Sequence, residues 1–92
     1  MRDAIIHDLA IGHYYTPEGH EHRWVIWDRG EFIYIADDIS FAINVARKLL
    51  GEESDAYRDF LWEASGLGAR VLGGRQHIFY ANLLRDPQYV SG

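Results

Sequence analysis

The amino-acid sequence predicts an α+β domain: an antiparallel sheet with two helices packed on one face, in the order β-β-β-α-α-β-β. Three observations predict it. Two runs of aromatic and β-branched residues are joined by a short link that contains glycine. Two apolar stripes of helical period follow, each opened by a capping Asp or Ser. A Gly-Gly pair then divides two further apolar runs. A length of 92 residues suits a single globular domain spanning 1–92.

The first strand is placed from about Leu9 to Tyr15, where Leu9, Ile11, His13 and Tyr15 would share a face. A short helix over 3–11, ended by Gly12, competes with it because Ile5 and Leu9 are four residues apart; residues 3–8 stay open. Thr16-Pro-Glu-Gly-His20 leads into the clearest element. Arg23–Asp28 and Glu31–Ala36 flank Asp28-Arg-Gly-Glu31, and Gly30 can take a positive φ, so the pair reads as a β-hairpin. Alternation puts Trp24, Ile26 and Asp28 on one face and Val25 and Trp27 on the other. Both faces are apolar, which predicts a central hairpin with helices on one side and a second covering on the other.

Asp37-Asp38 offers an N-cap to a helix whose stripe is Phe41, Ala42, Val45, Ala46, Leu49 and Leu50, ended by Gly51. Ser54 caps a second helix with Tyr57, Phe60, Leu61 and Ala64 as its stripe, Trp62 just off it, and Gly66-Leu-Gly68 as its stop. Short strands near 69–72 and 75–83 would form a hairpin around Gly73-Gly74. Asp86-Pro87 then breaks regular structure, and loose final residues are expected.

Composition narrows the function classes. Hydrophobic residues make up 48% of the chain and only 2 residues are proline, a globular balance. A domain of this size buries only about 60–65% of its unfolded surface, so each core aromatic matters. The absence of cysteine excludes disulfide frameworks, zinc fingers, iron–sulfur clusters and thiol catalysis. No long apolar run marks a signal peptide, and none approaches the ~20 residues of a membrane span, so a soluble, cytoplasmic protein with no membrane partner is expected. The net charge is −5, and the acidic excess falls before residue 69. Direct duplex binding needs a basic face, and the sequence shows none.

The sharpest local histidine feature is His20-Glu21-His22. On a strand, residues i and i+2 project together, and His13 across a hairpin could supply a third nitrogen. His13, His20 and His22 are therefore a candidate ligand set for zinc and a zinc-activated water. Against it, turn histidines are usually solvated, and His7 and His77 look isolated. The carboxylate pairs Asp37-Asp38, Glu52-Glu53 and Asp55/Asp59 could do acid–base chemistry only in an apolar pocket, whereas Asp38 already has a capping role. None of Ser40, Ser54, Ser65 and Ser91 lies in a Gly-x-Ser-x-Gly turn, and no phosphate loop follows the glycines.

The most informative stretch runs from Gly51 to Glu63. Glu52, Glu53, Asp55, Asp59 and Glu63 gather along one loop and one helix face, with Asp55, Asp59 and Glu63 at i, i+4 and i+8. Arg58 does not look placed to neutralise the row, and Trp62 lies beside it. Such a row could simply keep the chain in solution. It could equally steer and anchor an arginine-rich partner. The thirteen aromatic residues exceed what a small core uses, so some of Tyr14, Tyr15, Tyr34, Tyr57, Trp62, Tyr80 and Tyr89 should reach the surface.

The expected function is thus a non-catalytic protein-binding module without a cofactor. It would be a small acidic inhibitor, antitoxin, immunity protein or phage anti-defence (anti-CRISPR-like) factor that blocks a basic surface of a larger protein, such as one that binds nucleic acid. Its contact residues would be Glu52, Glu53, Asp55, Asp59, Trp62 and Glu63. The alternative is a small zinc-binding protein or metal-dependent enzyme built on His13, His20 and His22. A homodimer paired through open sheet edges is compatible with the first.

Overall fold

The computed structural model describes residues 6–85 and is α+β. Three strands form one antiparallel sheet in the order β1-β2-β3: β1 is Leu9–Tyr15, β2 His22–Asp28 and β3 Glu31–Ala36. The helix alternative over 3–11 fails where it can be judged, because residues from Leu9 onward are strand and residues 6–8 have no regular structure. The β1–β2 ladder runs from Leu9↔Asp28 to Tyr15↔His22. Asp28 faces Glu31 across the tight turn, where Arg29 and Gly30 both adopt positive φ, 53° and 85°. Two left-handed central residues match the right-handed twist of the strands, which is why this short link closes the hairpin. One register shift follows Ile26: Ile26 pairs with Tyr34 but Trp27 with Phe32, leaving Ile33 as a bulge in β3.

The pleat places Leu9, Ile11, Trp24, Ile26, Tyr34 and Ala36 on the face that the helices cover. Helix α1, Ile39–Leu50, packs on β2 and β3; α2, Asp55–Leu72, packs on α1 and β1; α3, Gln76–Arg85, packs on α2. Trp24, Ile26, Ile39, Ile43, Phe60, Leu61 and Leu83 meet in the core. The opposite face of the sheet is covered by none of the described elements, so the second covering that the sequence predicts is not there among residues 6–85.

Both caps are as expected. The Asp38 carboxylate accepts from Ser40 N–H at 3.2 Å, and Ser54 Oγ accepts from Tyr57 N–H at 3.1 Å. The α2 stripe of Tyr57, Phe60, Leu61 and Ala64 is buried. The α1 stripe is rotated from the predicted one: Ile39, Ala42, Ile43 and Ala46 are buried, while Phe41 and Leu49 are exposed. Ala42 and Ala46 are fully buried, so larger side chains at either position would have to displace packed neighbours.

The predicted strands at 69–72 and 75–83 are corrected to helix, so the order is β-β-β-α-α-α. Gly66 and Gly68 do not stop α2; both are buried within it. A Cβ at Gly66 would come within 2.7 Å of Gln76 Nε2, and one at Gly68 within 3.2 Å of the Phe79 ring. These glycines give α3 its close seat on α2, and that packing offsets the roughly 1 kcal/mol each costs in a helix. The helix ends instead at Gly73, whose φ of 88° and N–H bond to Ala69 O make it the cap. Asp86, Pro87, Tyr89 and residues 1–5 lie outside the described residues.

Leu83 is fully buried in the shared core. Leu83→Ala should therefore cost about 2–5 kcal/mol in urea denaturation. A loss below about 1 kcal/mol is what an exposed position gives, and it would contradict the α3 packing.

Candidate functional site

Ser54 starts α2 where the chain is richest in carboxylates. Asp55 lies in the first turn, and Asp59 and Glu63 follow at one-turn intervals on the exposed side. Glu52 and Glu53 precede the cap and are also exposed. All five predicted carboxylates are thus exposed, three along α2 and two in the loop before it. Arg58 corrects one expectation: its Nη1 lies 3.7 Å from Asp55 Oδ1, so it answers one member of the row. The Asp55 side chain is fully exposed, and such a pair contributes little to stability.

Trp62 is 46% exposed and meets Tyr80 edge-on, with centroids 5.4 Å apart. Gln76 Nε2 donates to the Trp62 carbonyl at 2.9 Å. The Tyr80 ring of α3 therefore packs against the Trp62 side chain, and Gln76 ties the Trp62 backbone to the same helix. This limits the rotamer entropy that binding would remove, which favours an anchor.

On the other flank, Asp59 and Glu63 line a cleft of about 230 Å³ together with His7, Asp8, Leu9, Leu50, Ala56 and Phe60. Behind it, His7 Nδ1–H donates to Asp28 Oδ2 at 2.7 Å, and Asp8 N–H donates to Asp28 Oδ1 at 2.8 Å. Asp28 is nearly buried. The Asp8 amide and then the His7 hydrogen bond hold its carboxyl below the usual carboxylate value, although burial opposes them. An ionised Asp28 only accepts, which fixes the hydrogen of His7 on Nδ1. His7 is therefore not isolated. The β1–β2 register carries the signal, because it brings the residues before Leu9 alongside Asp28, but residue spacing alone does not show it.

The histidine set is brought together only in part. His13 Nε2 and His22 Nδ1 are 2.8 Å apart, so one donates and the other accepts. The pair packs with Tyr15 and Trp24, with ring centroids 5.0 Å from His13 to Tyr15 and 4.6 Å from His13 to Trp24. His20 does not join it. It is exposed in the loop at φ 52°, its N–H bonded to Thr16 O. Among the described residues, no three His, Asp or Glu side chains gather as a metal-binding group. The zinc site on His13, His20 and His22 is thus reduced to a hydrogen-bonded pair, since the Thr16-centred loop holds the third imidazole elsewhere.

The surface also carries aromatics that the sequence reading missed. Tyr14, Tyr15 and Trp62 are exposed as expected, but Phe32 and Phe41 are too, whereas Tyr57 is buried. No helix among the described residues is long and apolar enough to cross a membrane. Comparison with protein-family models, curated proteins and solved structures finds no match to this chain.

Two measurements test this geometry. Asp28→Ala strips the partner from His7 and from the Asp8 amide and should cost about 1–3 kcal/mol at neutral pH in urea denaturation. The Asp28 pKa is lowered in the fold, so its contribution is complete above the ordinary value of 3.8 and is lost as pH falls through the folded value. The gap between wild type and variant should therefore narrow below about pH 4. A gap that is constant with pH would contradict the charged Asp28.

His13 behaves similarly in a higher window. Burial first, and then His22, lower its pKa from 6.5, so protonation favours the unfolded chain. Stability from this group is complete above about pH 6.5 and falls as the pH drops through the folded value. The Tm should decline on acidification from neutrality, and His13→Phe should flatten that decline. An unchanged slope in the variant would remove His13 as its source.

Proposed function

We propose that the protein is a non-catalytic protein-binding module that occupies a basic surface of a larger protein through the exposed side of α2. The observation that carries this reading is the juxtaposition on that helix. Asp59 and Glu63 stand exposed, Glu52, Glu53 and Asp55 continue the negative field, and Trp62 lies half-exposed beside them under contact from Tyr80. Exposed charge steers encounter and sets orientation, and an adjacent fixed aromatic contributes contact area. A basic surface built for nucleic acid is the kind of target that such a face matches. Blocking it is how a small acidic inhibitor, antitoxin, immunity protein or anti-defence factor would act. The net charge of −5 favours that approach over direct contact with a nucleic acid backbone.

Affinity capture from nuclease-treated lysate of the source cells, read by mass spectrometry, should return a stoichiometric basic protein. Binding to that protein should weaken as salt rises. The double reversal Asp55→Lys/Asp59→Lys should weaken it by at least about tenfold, mostly through slower association, while the far-UV spectrum and Tm stay close to wild type. Binding that survives the reversal at physiological salt would place the contact elsewhere.

A further inference from the structure

Two imidazoles meet at the end of the β1–β2 ladder farthest from Asp28. Tyr15 pairs with His22 and His13 with Trp24, so His13 and His22 are diagonal neighbours on the face of the sheet that carries the core. Side chains at diagonal positions of an antiparallel pair can reach one another. Here the nearest ring nitrogens, His13 Nε2 and His22 Nδ1, are 2.8 Å apart. Both side chains are half-buried. Buried Trp24 lies against His13, with ring centroids 4.6 Å apart, and Tyr15 against His22, at 4.9 Å. Paired strands and packed rings hold the two nitrogens close together, which is the preorganisation that a metal site requires.

We infer that His13 Nε2 and His22 Nδ1 together bind a tetragonal divalent transition-metal ion, copper(II) in preference to nickel(II) or zinc, in place of the hydrogen they share. The separation of the nitrogens selects the ion. Metal–imidazole bonds are about 2.0 Å, so two nitrogens at right angles about one ion stand about 2.8 Å apart, whereas the tetrahedral angle of zinc needs about 3.3 Å. The observed 2.8 Å matches the right angle. Turns of the two side chains aim both lone pairs at the ion, with no change in strand register. Imidazole suits copper and nickel, and copper(II) binds tightest among the divalent ions of this series. Water completes the coordination, so the pair needs neither His20 nor a third protein ligand. Access and charge favour the same occupant. A cleft of about 400 Å³ opens on His22 between Glu21, Arg23, Asp37, Asp38 and Phe41. Arg23 is answered there by Glu21 Oε1 at 3.0 Å. Asp37 and Asp38 leave the cleft with an acidic excess, which draws a cation. The ion would join β1 to β2 beside the loop that Thr16 organises.

Titration of the chelator-treated full chain with copper(II) sulfate tests the site. Tryptophan fluorescence should fall and saturate at one ion per chain, because Trp24 lies against His13 and a bound copper(II) ion quenches it. The electron paramagnetic resonance spectrum of that complex should be tetragonal, with hyperfine structure from two imidazole nitrogens. His13→Gln and His22→Gln should each weaken binding by at least about tenfold, since loss of even a supporting contact to a metal ligand costs roughly 10–100-fold. His20→Gln and His77→Gln should bind as wild type does, which excludes the exposed histidines. If neither ligand variant folds, the two-nitrogen spectrum of the wild type, kept in the His20 and His77 variants, decides the assignment. Copper that does not saturate at one ion per chain, a spectrum without two imidazole nitrogens, or binding undisturbed in a folded His13 or His22 variant would overturn it. Zinc binding as tight as copper would overturn the tetragonal geometry.

Discussion

The structure depends on burying one face of β2. Trp24 and Ile26 are almost wholly removed from water, and each helix is placed by its relation to that surface. Helix α1 lies over β2 and β3, α2 closes over β1, and α3 backs α2 and inserts Leu83 into the same core. Among the described residues the helices form one such layer. The alternating pattern of β2 makes both of its faces apolar, so covering one face leaves the other to solvent or to another molecule.

That asymmetry separates the surfaces by chemistry. The helix side carries the exposed carboxylates of the α2 row, while the outer side of the sheet is mainly apolar and aromatic, with Arg23 on it. A negative field acts over about a Debye length and favours a basic partner. An apolar face acts only at contact and needs shape complementarity.

Asp28 links fold and site. It closes the β2–β3 hairpin, accepts the Asp8 amide and holds His7 at the back of the cleft beside Asp59 and Glu63. A buried carboxylate with both oxygens hydrogen-bonded pins the chain entering β1 to the turn leaving β2. The His13–His22 pair is a second polar contact between the same two strands, at their far end. Burial, and then the neighbouring His22, hold the His13 imidazole below its usual pKa.

The local chemistry of the sequence was enough for the β1-β2-β3 meander, the Asp28-Arg-Gly-Glu31 turn, the Asp38 and Ser54 caps, the α2 stripe and the acidic row, because each is set by neighbours within a few residues. It was misleading wherever a residue's role depends on what packs against it. Gly66 and Gly68 read as a helix stop, yet they are contact points for Gln76 and Phe79; Gly73-Gly74 read as a hairpin turn, yet it joins two helices. The rotation of α1, which buries Ile39 and Ile43 and exposes Phe41 and Leu49, was likewise decided by the shared core. His7–Asp28, the separation of His20 from His13 and His22, and the open outer face all came from strand register and layer count. These are long-range choices, in which burial of a shared core outweighs the propensity of any one segment.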